Sequence, residues 1–251
     1  MTDLTITGSR GFIGSNLRKI LRLSYEEVDL SLGISCKDVV GRFGTLLHLA
    51  AYKREEESFW NPEKYIDNNI SDLARLLSRN NFSRVIFASS MAVYDSNGDL
   101  EPLSIYGITK LAGEKLVKTY CSTYWILRIA QPYGPYDTSS VFAKLASCKL
   151  NNEIFRIYES RSMKRDYFHV SHVVNIIDRT LRGAIKPGIY NIGSGKEVVP
   201  YDFLKYLCDK YNIKYDCVSL PSGSSLGYIP TKDLLVGGQG DLEEEWLKYL
   251  L

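Results

Sequence analysis

The stretch that decides the fold is Thr5–Leu17, TITGSRGFIGSNL. A β-prone run, Leu4–Thr7, ends at a glycine, and two further glycines follow at steps of three residues. Ile13 and Leu17 begin a series of apolar residues at the spacing of one helical face. The sequence therefore predicts a strand, a tight glycine turn and a helix, which together open a βα unit.

A turn of this kind can bind a pyrophosphate, because unpaired backbone N–H groups and the positive end of a helix meet at one point. Gly8 allows the tight turn, Gly11 lets the backbone approach a ligand, and Gly14 lets the helix pack on the strand. The spacing differs from the G-x-G-x-x-G fingerprint. By itself the turn leaves open both a dinucleotide site and a plain strand-to-helix connection.

Strands alternate with amphipathic helices in the first half of the chain. We predict buried strands at Thr45–Ala50, Arg84–Ser89 and Trp125–Ile129, and helices at Tyr65–Leu77 and about Tyr106–Tyr120. Such alternation is typical of an α/β fold with a parallel sheet. The expected architecture is a Rossmann-type doubly wound parallel sheet with a small interwoven C-terminal substrate lobe.

Beyond residue 130 the alternation loosens, and no repeat or low-complexity linker separates two domains. We predict a dinucleotide-binding lobe of residues 1–130 plus about 166–193, and a small substrate-binding lobe of residues 131–165 and 194–251. After residue 130 we expect helices at Val141–Leu150, Val170–Leu181 and about Asp202–Tyr211, and strands at Ile154–Tyr158 and Ile189–Ile192.

Composition narrows the range of partners. The chain has 251 residues, 45% of them hydrophobic, and its 31 basic and 29 acidic residues give a formal charge of +2 without long single-sign runs. We therefore expect no nucleic-acid partner and no membrane partner. With no basic-then-apolar leader and no apolar run of membrane length, the expected location is the cytoplasm.

The cysteines and histidines indicate neither disulfides nor a metal site. Five cysteines are scattered without Cys-x-x-Cys spacing, so reduced thiols are expected. His169 and His172 have no Cys or carboxylate partners at metal-ligand spacing, so we assign no metal.

Five later motifs strengthen the interpretation of the glycine turn as a dinucleotide site. They are Ser89–Tyr94 (SSMAVY), Tyr106–Lys110 (YGITK), Leu127–Pro135 (LRIAQPYGP), Arg165–Val170 (RDYFHV) and Tyr190–Gly195 (YNIGSG). In this order they resemble the extended short-chain dehydrogenase/reductases, which modify nucleotide sugars. Each motif alone is weak, but the ordered set covers nearly the whole chain. The resemblance implies an NAD(P)-dependent enzyme that acts on a nucleotide sugar.

The catalytic residues implied by the resemblance are Ser90, Tyr106 and Lys110. Tyr106 and Lys110 are four residues apart, so one helical face carries both. An ammonium group near a phenol favours the phenolate, which a tyrosine needs for proton transfer at neutral pH. Lys110 is also expected to hold the nicotinamide ribose, and Ser90 to hydrogen-bond the reacting oxygen. A solvated Tyr–Lys pair is the alternative, but the place of this pair after the Ser-Ser strand argues against it.

The resemblance also implies a binding set. Arg165 is expected to grip the substrate's diphosphate with its planar guanidinium, and an ion pair with Asp166 is the alternative. Asn69 is expected to support the active-site backbone, with a surface role as the alternative, and His48 to be a buried strand residue. The substrate-binding residues are Ser90, Met91, Gln131 and Arg165. The cofactor-binding residues are Gly8, Arg10, Gly11, Phe12, Ile13, Gly14, Asp29, Leu49, Ala50, Ala51, Lys53, Asn69, Ser89, Tyr106, Lys110 and Tyr133.

Departures from the family pattern narrow the reaction. Met91-Ala92 stand where the family's dehydratases have an Asp-Glu pair, so dehydration is not expected. Ala92 also cannot replace the cysteine of the reductases that epimerise carbons 3 and 5. Gln131 stands where the family usually has asparagine. The segment from Gly14 to His48 is short, so a strand and a helix of the adenosine-binding half are expected to be trimmed or fused.

Two residues bear on the choice of cofactor, and they favour different dinucleotides. Asp29 can bind a ribose 2′-hydroxyl, which favours NAD(H), or it can be the adenine-side aspartate of the next strand. Arg10 directly precedes the second glycine, where a basic residue in this family meets the 2′-phosphate of NADP. On this basis NADP(H) is the favoured cofactor and NAD(H) the alternative.

The favoured function is reduction of a nucleotide-linked 4-keto-6-deoxyhexose, with hydride from NADPH and with Tyr106 as proton donor. The alternative is an NAD-dependent nucleotide-sugar 4-epimerase, and a non-catalytic dinucleotide-binding regulator is the remote one. A homodimer through the helices near Tyr65–Leu77 and Tyr106–Tyr120 is expected from the resemblance. The loop Pro221–Ile229 is expected to close over the substrate.

Overall fold

The computed structural model describes residues 3–220, 227–230, 232–236 and 240–250. Strands and helices alternate along most of the described chain. The strands are β1 Leu4–Thr7, β2 Glu26–Val28, β3 Phe43–His48, β4 Asn81–Ser90, β5 Tyr124–Ile129, β6 Gln131–Tyr133, β7 Phe155–Tyr158, β8 Tyr167–His169, β9 Gly188–Gly193, β10 Tyr215–Val218 and β11 Leu234–Val236. The α-helices are α1 Phe12–Ile20, α2 Glu55–Trp60, α3 Pro62–Ile66, α4 Asp72–Ser78, α5 Ile105–Tyr120, α6 Val141–Asn151, α7 Ser171–Leu181, α8 Pro200–Lys210 and α9 Leu242–Leu247.

Seven strands form one parallel sheet in the order β11-β9-β5-β4-β3-β1-β2. The chain begins in β1, adds β2 on one side, and returns to add β3 on the other side. This reversal creates a crevice at the carboxyl ends of β1 and β3, where doubly wound sheets bind their ligands. The predicted Rossmann-type architecture is therefore confirmed.

Both faces of the sheet are buried, because neighbouring strand residues enter opposite core clusters. Leu47 packs on one face with Leu17 of α1 and Ile177 of α7. The preceding residue, Leu46, packs on the other face with Leu73 of α4. This arrangement explains why the strands are apolar throughout rather than alternating.

The segment between β2 and β3 is shorter than a full βα unit, as the sequence predicts. Two single-turn 3₁₀ helices, Leu30–Leu32 and Cys36–Asp38, connect the strands directly. The Asp29 carboxylate accepts the backbone N–H of Ser31 at 2.9 Å and begins the first of these turns. No further strand of the described residues pairs with β2, which is therefore the edge of the sheet.

The helix predicted at Tyr65–Leu77 is interrupted. A π-helical turn, Asp67–Ser71, separates α3 from α4. Turns of this type insert one residue and re-aim neighbouring side chains, and they are frequent at functional sites. Here the turn contains Asn69, which is buried.

A third apolar cluster, around Phe142 of α6 and Trp246 of α9, lies in the C-terminal part of the chain, and both of these side chains are fully buried. Two small parallel sheets, β6 with β8 and β7 with β10, belong to this region. Two strands pair with strands outside the lobe that was proposed for them. β11 lies within 194–251 but pairs with β9 in the main sheet, and β8 lies within 166–193 but pairs with β6.

One buried ion pair joins α5 to the sheet. Glu114 of α5 accepts the Nε and Nη2 groups of Arg128, on β5, at 2.9 and 2.6 Å. Arg128 also donates to the Tyr94 hydroxyl at 2.6 Å, and that hydroxyl donates to the Asn191 amide oxygen at 3.0 Å. The network links α5, β5, β9 and the end of β4, the elements that carry the catalytic motifs.

The five cysteines have free thiols. Among residues 3–220, 227–230, 232–236 and 240–250, no group of three His, Cys, Asp or Glu residues is arranged to hold a metal ion. No helix in the described part of the chain is long and apolar enough to cross a membrane.

We expect Glu114→Ala to destabilise the fold by about 3 kcal/mol, because it leaves the buried Arg128 guanidinium without its carboxylate. Urea denaturation followed by circular dichroism measures the change. Arg161→Ala removes the exposed Arg161–Asp202 pair and should change stability by less than about 1 kcal/mol. Equal effects of the two substitutions would contradict a structural role for the buried pair.

Candidate active site

A cleft of 740 Å³ lies at the carboxyl ends of the central strands. Most of the residues predicted to bind cofactor or substrate line it. They are Gly8, Gly11, Phe12, Ile13, Gly14, Leu49, Ala51, Lys53, Ser89, Ser90, Met91, Tyr106, Lys110, Gln131 and Arg165. The sequence motifs, far apart in the chain, therefore meet at one place.

The three glycines have different surroundings. Gly8 has a φ of +67°, and a Cβ there would lie 2.7 Å from the backbone nitrogen of Ala50. A Cβ on Gly14 would lie 2.4 Å from the carbonyl oxygens of Gly8 and Ser9, so the helix packs directly on the turn. Among the described residues, a Cβ on Gly11 would meet the Gly8 carbonyl oxygen alone, at 3.3 Å. Gly11 lines the cleft, and the N-terminus of α1 at this point suits a pyrophosphate.

Ser90 and Tyr106 are brought together from β4 and α5. Ser104 caps α5, its side chain accepting the Gly107 N–H at 3.0 Å, and this fixes the first turn that carries Tyr106. Burial raises the pKa of Tyr106 to about 12, although a hydrogen bond with Ser90 acts to lower it. The phenol therefore needs a nearby positive charge in order to ionise at neutral pH.

Lys110 lies one helical turn after Tyr106 on α5 and also lines the cleft. Its side chain is buried, with the ammonium nitrogen 4.8 Å from the centre of the Phe87 ring. Burial lowers the pKa of Lys110 to about 8, and the Glu114 carboxylate opposes this shift. Lys110 is therefore largely protonated at neutral pH and loses its charge as the pH rises through about 8.

Asn69 and Ser58 hold the surrounding backbone. The Asn69 side chain accepts the Tyr52 N–H and donates to the Tyr52 carbonyl, both at 2.9 Å, and it also donates to the Thr109 hydroxyl at 3.0 Å. The Ser58 hydroxyl accepts the Tyr106 N–H at 3.2 Å. These bonds connect α5 to the segment after β3, so Asn69 lies behind the cleft rather than on its lining.

Asp29 follows β2 directly and faces the glycine turn. Its carboxylate accepts the Arg10 backbone N–H at 2.9 Å. Burial opposes the shift, but hydrogen bonds from Ser31 and Arg10 lower the pKa of Asp29. The carboxylate thus follows the second strand of the chain.

The Arg10 side chain points to Glu27. Its Nε atom lies 3.3 Å from the Glu27 carboxylate, which also lies 3.4 Å from the Arg18 Nε. Two carboxylates, those of Glu27 and Asp29, therefore lie beside the first glycine turn, and the Arg10 guanidinium is paired with one of them.

Tyr133 requires a correction. It was expected to bind the cofactor, but it is fully buried, with its ring centre 5.1 Å from that of Phe142 and 5.7 Å from that of His169. It is not part of the cleft lining. The Tyr133 side chain packs within the apolar cluster around Phe142 and Trp246.

His48 and Asp166 have structural partners. His48 is buried, its Nδ1 lies 2.8 Å from the Thr7 hydroxyl, and burial lowers its pKa to about 3, so it is neutral. Asp166 accepts the Ser194 and Gly195 N–H groups, both at 2.9 Å. These contacts tie the Arg165 segment to the end of β9, beside the cleft.

The structure adds lining residues that the motifs did not indicate. Glu55 and Trp60 of α2 border the cleft, as do Asp137 and Ser140 before α6 and Tyr228 on the far side. In the sequence, the run of three glutamates at the start of α2 was the feature that could have indicated these lining residues. Of the loop Pro221–Ile229, Gly227–Ile229 line the cleft, whereas residues 221–226 lie outside the described part of the chain.

Comparisons with known proteins agree with this site. The profile of the NAD dependent epimerase/dehydratase family matches residues 21–193. The UDP-glucuronate 4-epimerase 1 of Arabidopsis thaliana is 28% identical, over 80% of this chain and 58% of its own, and the protein CapI of Staphylococcus aureus is 25% identical, over 82% and 83%. The solved structure of MoeE5 with UDP-glucose and NAD has a TM-score of 0.82 at 25% identity, covering 99% of this chain and 97% of that one.

Substitutions at the second and third glycines should separate binding from folding. We expect Gly11→Ala to keep the melting temperature within about 2 °C, because its Cβ would come no nearer than 3.3 Å to the Gly8 carbonyl oxygen. It should weaken dinucleotide binding at least about tenfold, because Gly11 lines the cleft. Gly14→Ala should lower the melting temperature by several degrees, because its Cβ overlaps two carbonyl oxygens. Differential scanning fluorimetry and calorimetric titration with NAD measure the two effects. Equal behaviour of the two variants would contradict the assignment.

Proposed function

This chain belongs to the NAD-dependent epimerase/dehydratase family, and from that premise we propose that it is a nucleotide-sugar 4-epimerase that retains NAD. The observation that carries the proposal is the Asp29 carboxylate at the end of β2, facing the glycine turn. Ser90, Tyr106 and Lys110 lie together in the cleft, which Gly8, Gly11 and Gly14 of that turn also line. This combination suits oxidation and re-reduction of the same sugar carbon.

The charges beside the glycine turn favour NAD(H) over NADP(H). A carboxylate can accept a hydrogen bond from a ribose 2′-hydroxyl but repels a 2′-phosphate. Arg10, the reason for expecting NADP(H) from the sequence, is paired with Glu27. The expected NADP(H) preference is therefore not confirmed, and the solved relative MoeE5 contains NAD.

The same observation weakens the 4-ketoreductase hypothesis. A reductase consumes a reduced cofactor in each turnover, whereas an epimerase regenerates its own. Arg10 was the sequence feature that favoured the reductase, and its guanidinium contacts Glu27 instead of an open ribose site. Met91 and Ala92 replace the Asp-Glu pair expected of a dehydratase, so the family's epimerase activity is the one that these residues support.

The residues of the cleft would share the proton chemistry at C4 of the sugar. A bound nicotinamide supplies the hydride chemistry at that carbon. Tyr106, as the phenolate, takes the proton of the 4-hydroxyl, and Ser90 donates a hydrogen bond to the same oxygen. Lys110 stabilises the phenolate by its positive charge. After the keto-sugar presents its other face, Tyr106 returns the proton to the oxygen at C4.

Assembly as a homodimer is part of the proposal. The interface would be formed by α3–α4 and α5, the helices that the sequence analysis indicated. Ile66 of α3 and Ile108 of α5 are 43% and 47% exposed, which supports this location.

We expect NAD to bind at least about tenfold more tightly than NADP, and Asp29→Ala to reduce that preference. The substitution removes both the hydrogen-bond acceptor and a negative charge next to the 2′ position. Calorimetric titration with the two dinucleotides gives the ratio. Asp38→Ala, in the second 3₁₀ turn, is the control for the loss of a carboxylate elsewhere in the same segment. A wild-type preference for NADP would overturn the cofactor assignment.

The activity is tested with purified protein and nucleotide-linked hexoses. We expect NAD in the denatured protein, interconversion of C4 epimers, and no net change in absorbance of the reduced nicotinamide. Tyr106→Phe should lower turnover at least about 100-fold while NAD stays bound, because it removes the proton-transfer group. Stoichiometric NADPH oxidation with 4-keto-6-deoxyhexoses would instead establish the reductase.

A further inference from the structure

Glu55 is a charged residue of the cleft that the mechanism above does not use. It is the first residue of α2 and lines the cleft together with Ser90, Tyr106 and Lys110. A role of Glu55 in selecting the substrate rests on the proposed function, because that function places a sugar against Tyr106.

Three consecutive glutamates begin α2, and two of them have partners. Glu56 forms a hydrogen bond with the Tyr158 side chain. Glu57 accepts the Lys64 ammonium at 2.7 Å. The Oε1 atom of Glu55 is buried, yet no described residue forms a hydrogen bond with it. Of these three, Glu55 is thus the one with an unsatisfied buried oxygen.

The position of Glu55 is fixed by bonds on both sides. The Ser58 hydroxyl donates to the Glu55 carbonyl and accepts the Tyr106 N–H, which joins α2 to the start of α5. The Tyr65 hydroxyl donates to the Arg54 carbonyl at 2.7 Å. In this position the negative charge of Glu55 acts on Tyr106 and raises its pKa, after the larger effect of burial.

A buried carboxylate oxygen without a partner is unfavourable, and a ligand that donates a hydrogen bond would satisfy it. A second carboxylate in the same place would be repelled, which weakens its binding at a partly enclosed site. Because Tyr106 acts at the oxygen on C4, a group beside Tyr106 lies near the substituents of C3 and C5. In a hexopyranose these are the 3-hydroxyl and the 5-hydroxymethyl group. In a hexuronate the C6 carboxylate replaces the hydroxymethyl group on C5.

Two lysines of the cleft lie against groups other than Glu55. The Lys53 ammonium lies 5.2 Å from the centre of the Phe12 ring, on the cofactor side, and Lys164 pairs with Glu197 at 2.9 Å. None of the ion pairs formed within residues 3–220, 227–230, 232–236 and 240–250 involves Glu55.

We propose that Glu55 accepts a hydrogen bond from the 6-hydroxyl of the sugar, on the hydroxymethyl group beside the reacting carbon, and thereby selects uncharged nucleotide hexoses against nucleotide hexuronates. Glu55 is a specificity-determining residue in this assignment. Proton transfer stays with Tyr106.

UDP-glucose and UDP-glucuronate are a matched pair of probes, because they differ in the oxidation state of C6. We expect the wild-type protein with NAD to bind UDP-glucose at least about tenfold more tightly than UDP-glucuronate. Glu55→Gln keeps the size of the side chain and removes its charge, so the ratio of the two dissociation constants should fall at least about fivefold. Glu63→Gln, on the exposed surface of α3, is the control and should leave the ratio unchanged. Isothermal titration calorimetry measures both constants on each variant, so a loss of active protein cancels in the ratio.

An unchanged ratio in Glu55→Gln overturns the assignment, as does a wild-type preference for UDP-glucuronate or binding of neither sugar at millimolar concentration. C4 epimerisation is measured in the same samples. Absence of epimer with a shifted binding ratio rejects the epimerase and keeps the selection by Glu55. Epimerisation with an unshifted ratio rejects the selection and keeps the epimerase.

Discussion

The close packing of α1 on the glycine turn is the constraint on which the rest of the structure depends. Gly14 lies so near the carbonyl oxygens of Gly8 and Ser9 that no side chain fits between helix and turn. This contact sets the direction of α1 and leaves its N-terminus facing the crevice beside β3. Each later element then adds to a sheet whose ligand-binding edge is already defined.

The catalytic groups depend on a second, polar constraint on the opposite side of the cleft. Glu114 is bound to Arg128 on β5 and lies one helical turn after Lys110. It therefore does two things at once: it fixes α5 to the sheet, and it opposes the loss of charge that burial imposes on Lys110. Neutralising Glu114 would weaken both the packing of α5 and the electrostatic support of Tyr106.

The sequence predicted the features that depend on local pattern. Apolar spacing located the central strands, and the Ser90, Tyr106 and Lys110 motifs meet in the cleft as their order implied. The failures involve contacts between distant segments. The burial of Tyr133 depends on Phe142 and His169. Likewise the pairing of Arg10 with Glu27 depends on the position of β2, and the unsatisfied oxygen of Glu55 on the packing of α2. Such contacts have no signature in residue spacing.

The shortened link after β2 also affects how separate molecules meet. It leaves a strand of three residues at the sheet edge, where unpaired backbone groups could recruit the same strand of another copy. Two of those three residues are glutamates, Glu26 and Glu27, each paired with an arginine of its own chain. A short, charged and internally engaged edge is a poor template for intermolecular β-pairing. Among the described residues β2 has no covering strand, and its short, charged edge still protects against edge-to-edge aggregation.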